Sequence, residues 1–387
     1  MKSQEVARSV ALPIPSASAD ATAPVTAAGL DGVVVASTAL SEVDGARGRL
    51  RLAGHDVEAW VLTTSYERAA EVLLGAGAAR ATDALAARLG QARAAAWARL
   101  PALGDALAAR DGMAALRAGL AHLDASGEDV DDALACAGAA GVLLGAWART
   151  REGHAPIPPE PDAGHAADVL RMATGVRDAR RAAALEAYLV TVMDHGMNAS
   201  TFTARVVTST GSDLVSAVVA AVGALKGPLH GGAPGPVLDM LDAIGEPARA
   251  LPWLRAELDA GRRIMGMGHR IYRVRDPRAA VLERVARGLS DDGAGGPRLA
   301  LAQAVERAAA ELLAERKPDR ALRANVEFYT AVVLDAVGLP AAAFAPCFAV
   351  GRVIGWAAHA LEQRRVGRLI RPDSRYVGPV HVAPEPS

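Results

Sequence analysis

The sequence predicts a mostly α-helical protein with one minor β segment near its start. Two observations carry that reading. The composition is 51% hydrophobic but only 4% aromatic, and alanine, leucine, arginine and glutamate, the residues of closely packed helices, are abundant in it. From residue 56 to about 147, leucines and valines recur at three- and four-residue spacing, as one face of an amphipathic helix requires. With 387 residues the chain can bury a large core, and its length suggests two or three domains.

Taken in order, residues 1–28 read as a flexible tail. Their apolar stretch is broken by Pro13 and Pro15, too short and too proline-rich for a secretory leader. The run 30–35, with Val33, Val34 and Val35, predicts a strand, Asp44 and Gly45 a turn, and 48–52 a second strand pairing back. Gly75, Gly77, Gly104, Gly112 and Gly127 punctuate the alanine-rich helices that follow. Residues 153–164, with Pro156, Pro158, Pro159 and Pro161, form an exposed connection.

A helix from about 182 carries Leu185, Tyr188, Leu189, Val192 and Met193 on one side and stops at Gly196, which puts His195 in its last turn. Asp213 caps the next helix, whose Ala217, Ala220, Ala221, Gly223 and Ala224 permit close packing. Gly227 and Pro228 end it. His230 then lies in a turn before a helix that Pro236 opens and Gly245 and Pro247 close. Helices follow at 278–289 and 297–316, separated by a mobile glycine-rich connection at 290–296. Another runs from after Arg323 to Gly338, and a last long one spans 344–364 with Pro346 in its first turn. The end, with Pro372, Gly378 and Pro379, is extended.

Composition narrows the function. A net charge of -1 argues against a general nucleic-acid binder. No run of eighteen or more apolar residues free of charge appears, so no membrane span is expected. Cys136 and Cys347, far apart in the chain, point to reduced thiols and a cytoplasmic setting.

Candidate chemistry concentrates in 194–278 and in a second group at 325–329, 352 and 371. His195, His230 and His269 each stand beside glycine at a helix end or turn, where an imidazole reaches a cleft. Their separations of 35 and 39 residues (195 to 230, 230 to 269) do not make a local metal motif, and a zinc site assembled in space is the lesser alternative. The other six histidines (55, 122, 154, 165, 359 and 381) read as surface or satisfied core residues. Arg352 lies among apolar neighbours, so it needs a carboxylate or phosphate partner; an ion pair within the protein and a bound anion both satisfy that. Arginines 262, 263, 270, 273, 275 and 278 flank Gly266, Gly268 and His269. They form either a solvated positive face or a phosphate site. Glu327 follows Asn325 as a carboxylate at a helix start.

The order of these pieces resembles the citrate synthase family, including its 2-methylcitrate synthase branch. The similarity rests on Gly-Pro-Leu-His-Gly-Gly-Ala from 227, Gly-His-Arg-Ile-Tyr-Arg-Val-Arg-Asp-Pro-Arg from 268 and Asn-Val-Glu-Phe-Tyr from 325. Phe-Ala-Val-Gly-Arg from 348 and Arg-Pro-Asp-Ser-Arg-Tyr-Val-Gly from 371 complete it, and the resemblance covers about 30–56 and 185–378. It implies a homodimer, with 29–225 and 332–387 as a large domain and 226–331 as a small one that closes over the substrates. It further implies that His230 binds the acetyl-CoA carbonyl, that Glu327 removes the methyl proton, and that His269 binds the ketone oxygen of oxaloacetate. His195, Arg278 and Arg352 hold the keto acid, Arg371 completes the partner's site, and Arg273 with Gly266 and Gly268 receives coenzyme A. No cofactor or metal is implied, and the place is the tricarboxylic acid cycle. Three positions depart from the family pattern, Glu327 for aspartate, Ala53 for arginine and Pro234 for asparagine, and they leave a non-catalytic homologue that binds dicarboxylates or coenzyme A as the alternative.

Overall fold

The computed structural model describes residues 28–30, 32–79, 84–231, 234–290, 296–320 and 322–378. The tail expected at 1–28 lies outside them apart from Ala28, as do the middle of the connection at 290–296 and His381. Thr38–Ser387 forms one compact unit and Met1–Ser37 another; of the latter, a 3-10 turn at Ala28–Leu30 is described.

The β segment is a three-stranded antiparallel sheet of β1 (Ser41–Asp44), β2 (Arg49–Leu52) and β3 (His55–Asp56). The register Asp44 opposite Arg49 makes 45–48 the hairpin turn, so the second strand and the turn stand as expected. The first strand does not. Val33, Val34 and Val35 are exposed and unpaired among the described residues, and Ser41–Asp44 takes the hairpin position because it leads directly into the turn.

Helices account for the rest: α1 (Val57–Trp60), α2 (Tyr66–Ala78), α3 (Leu85–Arg99), α4 (Gly112–Ala121) and α5 (Asp129–Arg151) cover the alanine-rich stretch. Then come α6 (His165–Thr174), α7 (Ala179–Thr191), α8 (Ala199–Ser209), α9 (Leu214–Leu225), α10 (Pro234–Ile244) and α11 (Ala250–Asp259). The last four are α12 (Pro277–Arg287), α13 (Gly296–Arg316), α14 (Val326–Ala336) and α15 (Phe344–Val366). Asp178, Asn198, Asp213, Asp276 and Asn325 cap α7, α8, α9, α12 and α14 by accepting first-turn N–H groups, which otherwise lack partners. The sequence reading placed no helix at α6, α8 or α11, and two of its boundaries near the site differ. α7 stops at Thr191, so His195 lies in the α7–α8 loop, and α10 opens at Pro234 rather than Pro236.

The core is built around α15, which packs against α2, α5, α7, α8 and α9. It and α5 are long and apolar enough to cross a membrane by length and composition alone, but 78% and 89% of their apolar windows are buried inside the protein. They are apolar all round because neighbours surround them. Glycines let helices approach closely: a Cβ on Gly77 of α2 would meet the Ala358 carbonyl of α15 at 2.5 Å. On α15 itself, a Cβ on Gly355 would sit 2.1 Å from the carbonyl oxygen of Met193. Gly355 thus fixes where the α7–α8 loop, with His195, lies against α15. Gly355→Ala should overpack this contact and destabilise the protein by about 1–3 kcal/mol, measured by denaturant unfolding.

Candidate active site

Four loops meet at the site, and their own hydrogen bonds explain why. Gly266 and Gly268 adopt φ of 72° and 93°, and a Cβ on Gly266 would fall 2.9 Å from Cβ of Phe328, so only glycine fits there. Residues 266–268 run antiparallel to 323–325: the Gly268 N–H donates to the Arg323 carbonyl (2.7 Å) and the Asn325 N–H to that of Gly266 (3.0 Å). Asn325 Nδ2 also donates to the Gly268 carbonyl (2.9 Å), while its Oδ1 accepts the Glu327 N–H (3.0 Å). One asparagine therefore sets the loop of His269 beside the first turn of α14, where Glu327 stands. Below them, buried Asp276 accepts from Nε and Nη2 of Arg278 (3.0 and 2.8 Å) and from the Val326 N–H (3.1 Å). The hairpin supports the same loop through the Gly45 carbonyl, which accepts the Arg273 N–H at 2.9 Å.

Each site histidine has one ring nitrogen occupied by the protein. Nδ1 of His269 accepts the N–H groups of Ile271 (3.0 Å) and Tyr272 (3.3 Å), which leaves the proton on Nε2. Nη2 of Arg278 lies 3.4 Å from that Nε2, two donors side by side with no acceptor between them. Nε2 of His230 accepts the Ser200 N–H (3.3 Å), which leaves the proton on Nδ1. Oγ of Ser200, 2.9 Å from the same Nε2, is held by Trp356 Nε1–H at 3.0 Å. Nε2 of His195 lies 3.0 Å from the Tyr272 hydroxyl, and the His195 and His269 rings meet edge to face at 5.3 Å. Burial, helped by Arg352, pushes His230 down to about 4; burial and Arg278 do the same to His269. Burial, reinforced by Arg278, holds His195 well below the usual range. All three are neutral donors at pH 7.

The charged groups complete the picture. Arg352 is 1% exposed; its Nε donates to the Val192 carbonyl (2.5 Å), but its Nη2 is buried without a partner. Burial lowers it to about 10, still a cation, and Asp194 opposes the fall. Among the described residues it has no ion pair, so the reading as a structural ion pair is not met. Glu327 is raised to about 7 by burial, against the pull of Arg278. It lines a cleft of about 920 Å³ together with Gly266, Gly268, His269 and Arg273, and Arg263, Arg270, Lys317 and Arg320 make the rim basic. Of the six arginines, 262, 275 and 278 are paired with carboxylates, and 263, 270 and 273 face this cleft. Arg371 is not among the lining residues; it is exposed in the extended segment after α15.

Of the remaining histidines, His55, His122 and His154 are exposed, and His165 and His359 sit in buried polar networks. Sequence reasoning missed Ser200, Trp356, Tyr272 and Asp276 as parts of the site. Asp276 was findable, because an aspartate directly before proline at a helix start is a cap whose carboxylate faces the first turn.

In this helical fold the loops bring one neutral imidazole, His269, and a desolvated carboxylate, Glu327, to a basic cleft, while His195, His230, Arg278 and Arg352 lie outside its lining. Residues 29–373 match the family model described as citrate synthase, C-terminal domain. The chain belongs to the citrate synthase family. It is 51% identical over 211 residues to putative citrate synthase 2 of Mycobacterium tuberculosis, a match covering 54% of this chain and 55% of that relative. That match thus spans little more than half the length of its relative. To 2-methylcitrate synthase of the same organism it is 37% identical over 363 residues, 90% of each chain. Among solved structures, a citrate synthase of Thermoplasma acidophilum in ternary complex with carboxymethyl coenzyme A and oxaloacetate superposes with a TM-score of 0.82. It is 27% identical, covering 93% of this chain and 98% of that one.

The Asp276–Arg278 pair gives a direct test of how the site is held. Asp276→Asn should leave a buried guanidinium without its counter-charge and cost about 3–5 kcal/mol in urea unfolding.

Proposed function

We propose that this protein condenses acetyl-CoA with oxaloacetate and water to give citrate and free coenzyme A. The observation that carries the reading is the pair of neutral imidazoles with preset protons, His230 at Nδ1 and His269 at Nε2, of which His269 shares a cleft with the desolvated carboxylate of Glu327. A thioester methyl is a very weak acid, so a carboxylate removes its proton only if the developing enolate oxygen is met by a donor already in place. His230 is that donor and Glu327 the base. The enol carbon then attacks the ketone carbon of oxaloacetate, whose oxygen takes the Nε2 proton of His269. Arg278, Arg352 and His195 hold the two carboxylates; fixed guanidinium groups suit them better than mobile ammonium groups. Water finally cleaves the thioester, releasing coenzyme A and citrate.

The ligands of the Thermoplasma relative support this substrate pair. Coenzyme A phosphates are assigned to Arg273 and the loop of Gly266 and Gly268. Residues 226–331 act as a small domain closing on 29–225 and 332–387, which keeps water out until condensation is complete. The protein is a cytoplasmic homodimer of the tricarboxylic acid cycle with no cofactor beyond its substrates. The 2-methylcitrate synthase relative supports propionyl-CoA as a second acyl donor, since one methyl is worth only about 1–3 kcal/mol. Thiol release with each thioester and oxaloacetate decides; no release with either overturns the reading.

Because Glu327 is held at about 7, kcat/KM for the thioester should rise with pH through that value and level off above it, since the base acts only when ionised. Glu327→Gln should nearly abolish thiol release while keeping oxaloacetate binding by calorimetry. Glu327→Asp should be slower as well, because a base displaced by about 1 Å loses on the order of 100-fold. Arg371 is proposed to complete the partner's site. Arg371→Ala should be inactive yet dimeric, and heterodimers with an inactive His269 variant should recover activity, because one hybrid site keeps both residues.

A further inference from the structure

We propose that Tyr272 is a positioning residue that selects the tautomer of His195, so that the ring presents Nδ1–H to a carboxylate of the keto acid. The inference rests on the substrate assignment above and adds a residue to it.

Tyr272 lies three residues after His269 and is 1% exposed, so solvent does not take its hydroxyl proton. The hydroxyl is 3.0 Å from Nε2 of His195, which is its one hydrogen-bond partner among the described residues. A buried O–H without an acceptor is costly, and a phenol held above its usual range by burial stays protonated. The proton therefore points at Nε2. A neutral imidazole has one acceptor and one donor nitrogen, so occupation of Nε2 places the ring proton on Nδ1. Had Nε2 carried that proton, the ring would donate to the phenol oxygen and the hydroxyl hydrogen would have no acceptor.

The same residue acts on the neighbouring ring. Its backbone N–H donates to Nδ1 of His269 at 3.3 Å, and its aromatic ring lies 4.8 Å from that imidazole. Tyr272 thus sets the proton of His269 through its backbone and that of His195 through its side chain. Only the second is removable by substitution. Phenylalanine keeps the ring packing and deletes the hydroxyl alone, which makes Tyr272→Phe a clean probe.

In the full-length protein, 15N-labelled histidine ring resonances should show His195 protonated at Nδ1. Tyr272→Phe should lose that fixed tautomer while His230 keeps its own. In kinetics, the KM for oxaloacetate should rise about tenfold, the size of one lost hydrogen bond to a charged group. The KM for acetyl-CoA should hardly move, whereas a merely structural role would shift it as well. A parent His195 protonated at Nε2, or an active parent whose oxaloacetate KM is unchanged by Tyr272→Phe, overturns the proposal. A parent inactive with every thioester would overturn the substrate assignment instead, and the ring tautomer would then decide the role of Tyr272 on its own.

Discussion

Two backbone N–H groups, those of Ile271 and Tyr272, aim at one nitrogen of His269, and this small constraint governs the chemistry around it. A backbone N–H only donates, so the nitrogen it meets must be bare and the other must carry the proton. The Ser200 N–H imposes the same rule on His230. With tautomers fixed this way, the rings act as donors without first gaining a charge. A charged imidazolium would be unfavourable among Arg278 and Arg352 in a desolvated cleft.

The cations are held ready by different means. Arg278 is neutralised by Asp276, whose carboxylate also caps α12 and receives the Val326 N–H, so one anion joins the loop, two helices and the guanidinium. Among the described residues Arg352 has no such partner and keeps a donor unpaired in the core. Its compensation is longer-range: Asp194, held low by His359 and Arg352 despite its burial, lies on the α7–α8 loop. His359 in turn accepts from Arg205 at Nδ1 and reaches Asp194 through Nε2 at 3.1 Å. A buried guanidinium with an unused donor is the natural receptor for a ligand carboxylate.

Much of this was legible from residue order. Helix-forming composition and periodicity pointed to the helical class, and Asp213 marked a helix start that the structure keeps. The hairpin turn was readable from Asp44 and Gly45, but not which run would pair, because the β-branched valines at 33–35 have the higher strand propensity whereas Ser41–Asp44 pairs by leading directly into the turn. His195 read as helical because Val192 and Met193 continue the apolar face, although the backbone has already left the helix at Thr191. Asn198 then starts α8, which the sequence reading did not place. The tautomers were invisible in sequence. They depend on Ser200 and Tyr272, whose types suit many roles and whose meaning comes only from a contact made across the fold.

The central claim is that His230 and His269 are neutral donors with protons at Nδ1 and Nε2 respectively. Titrating their 15N ring resonances in the full-length protein between pH 8 and pH 5 tests it most directly. The account predicts a single proton on each ring throughout this range, at those nitrogens, because both groups are pushed down to about 4. A second proton arriving near the ordinary histidine value of about 6.5, or the opposite tautomer on either ring, would contradict it.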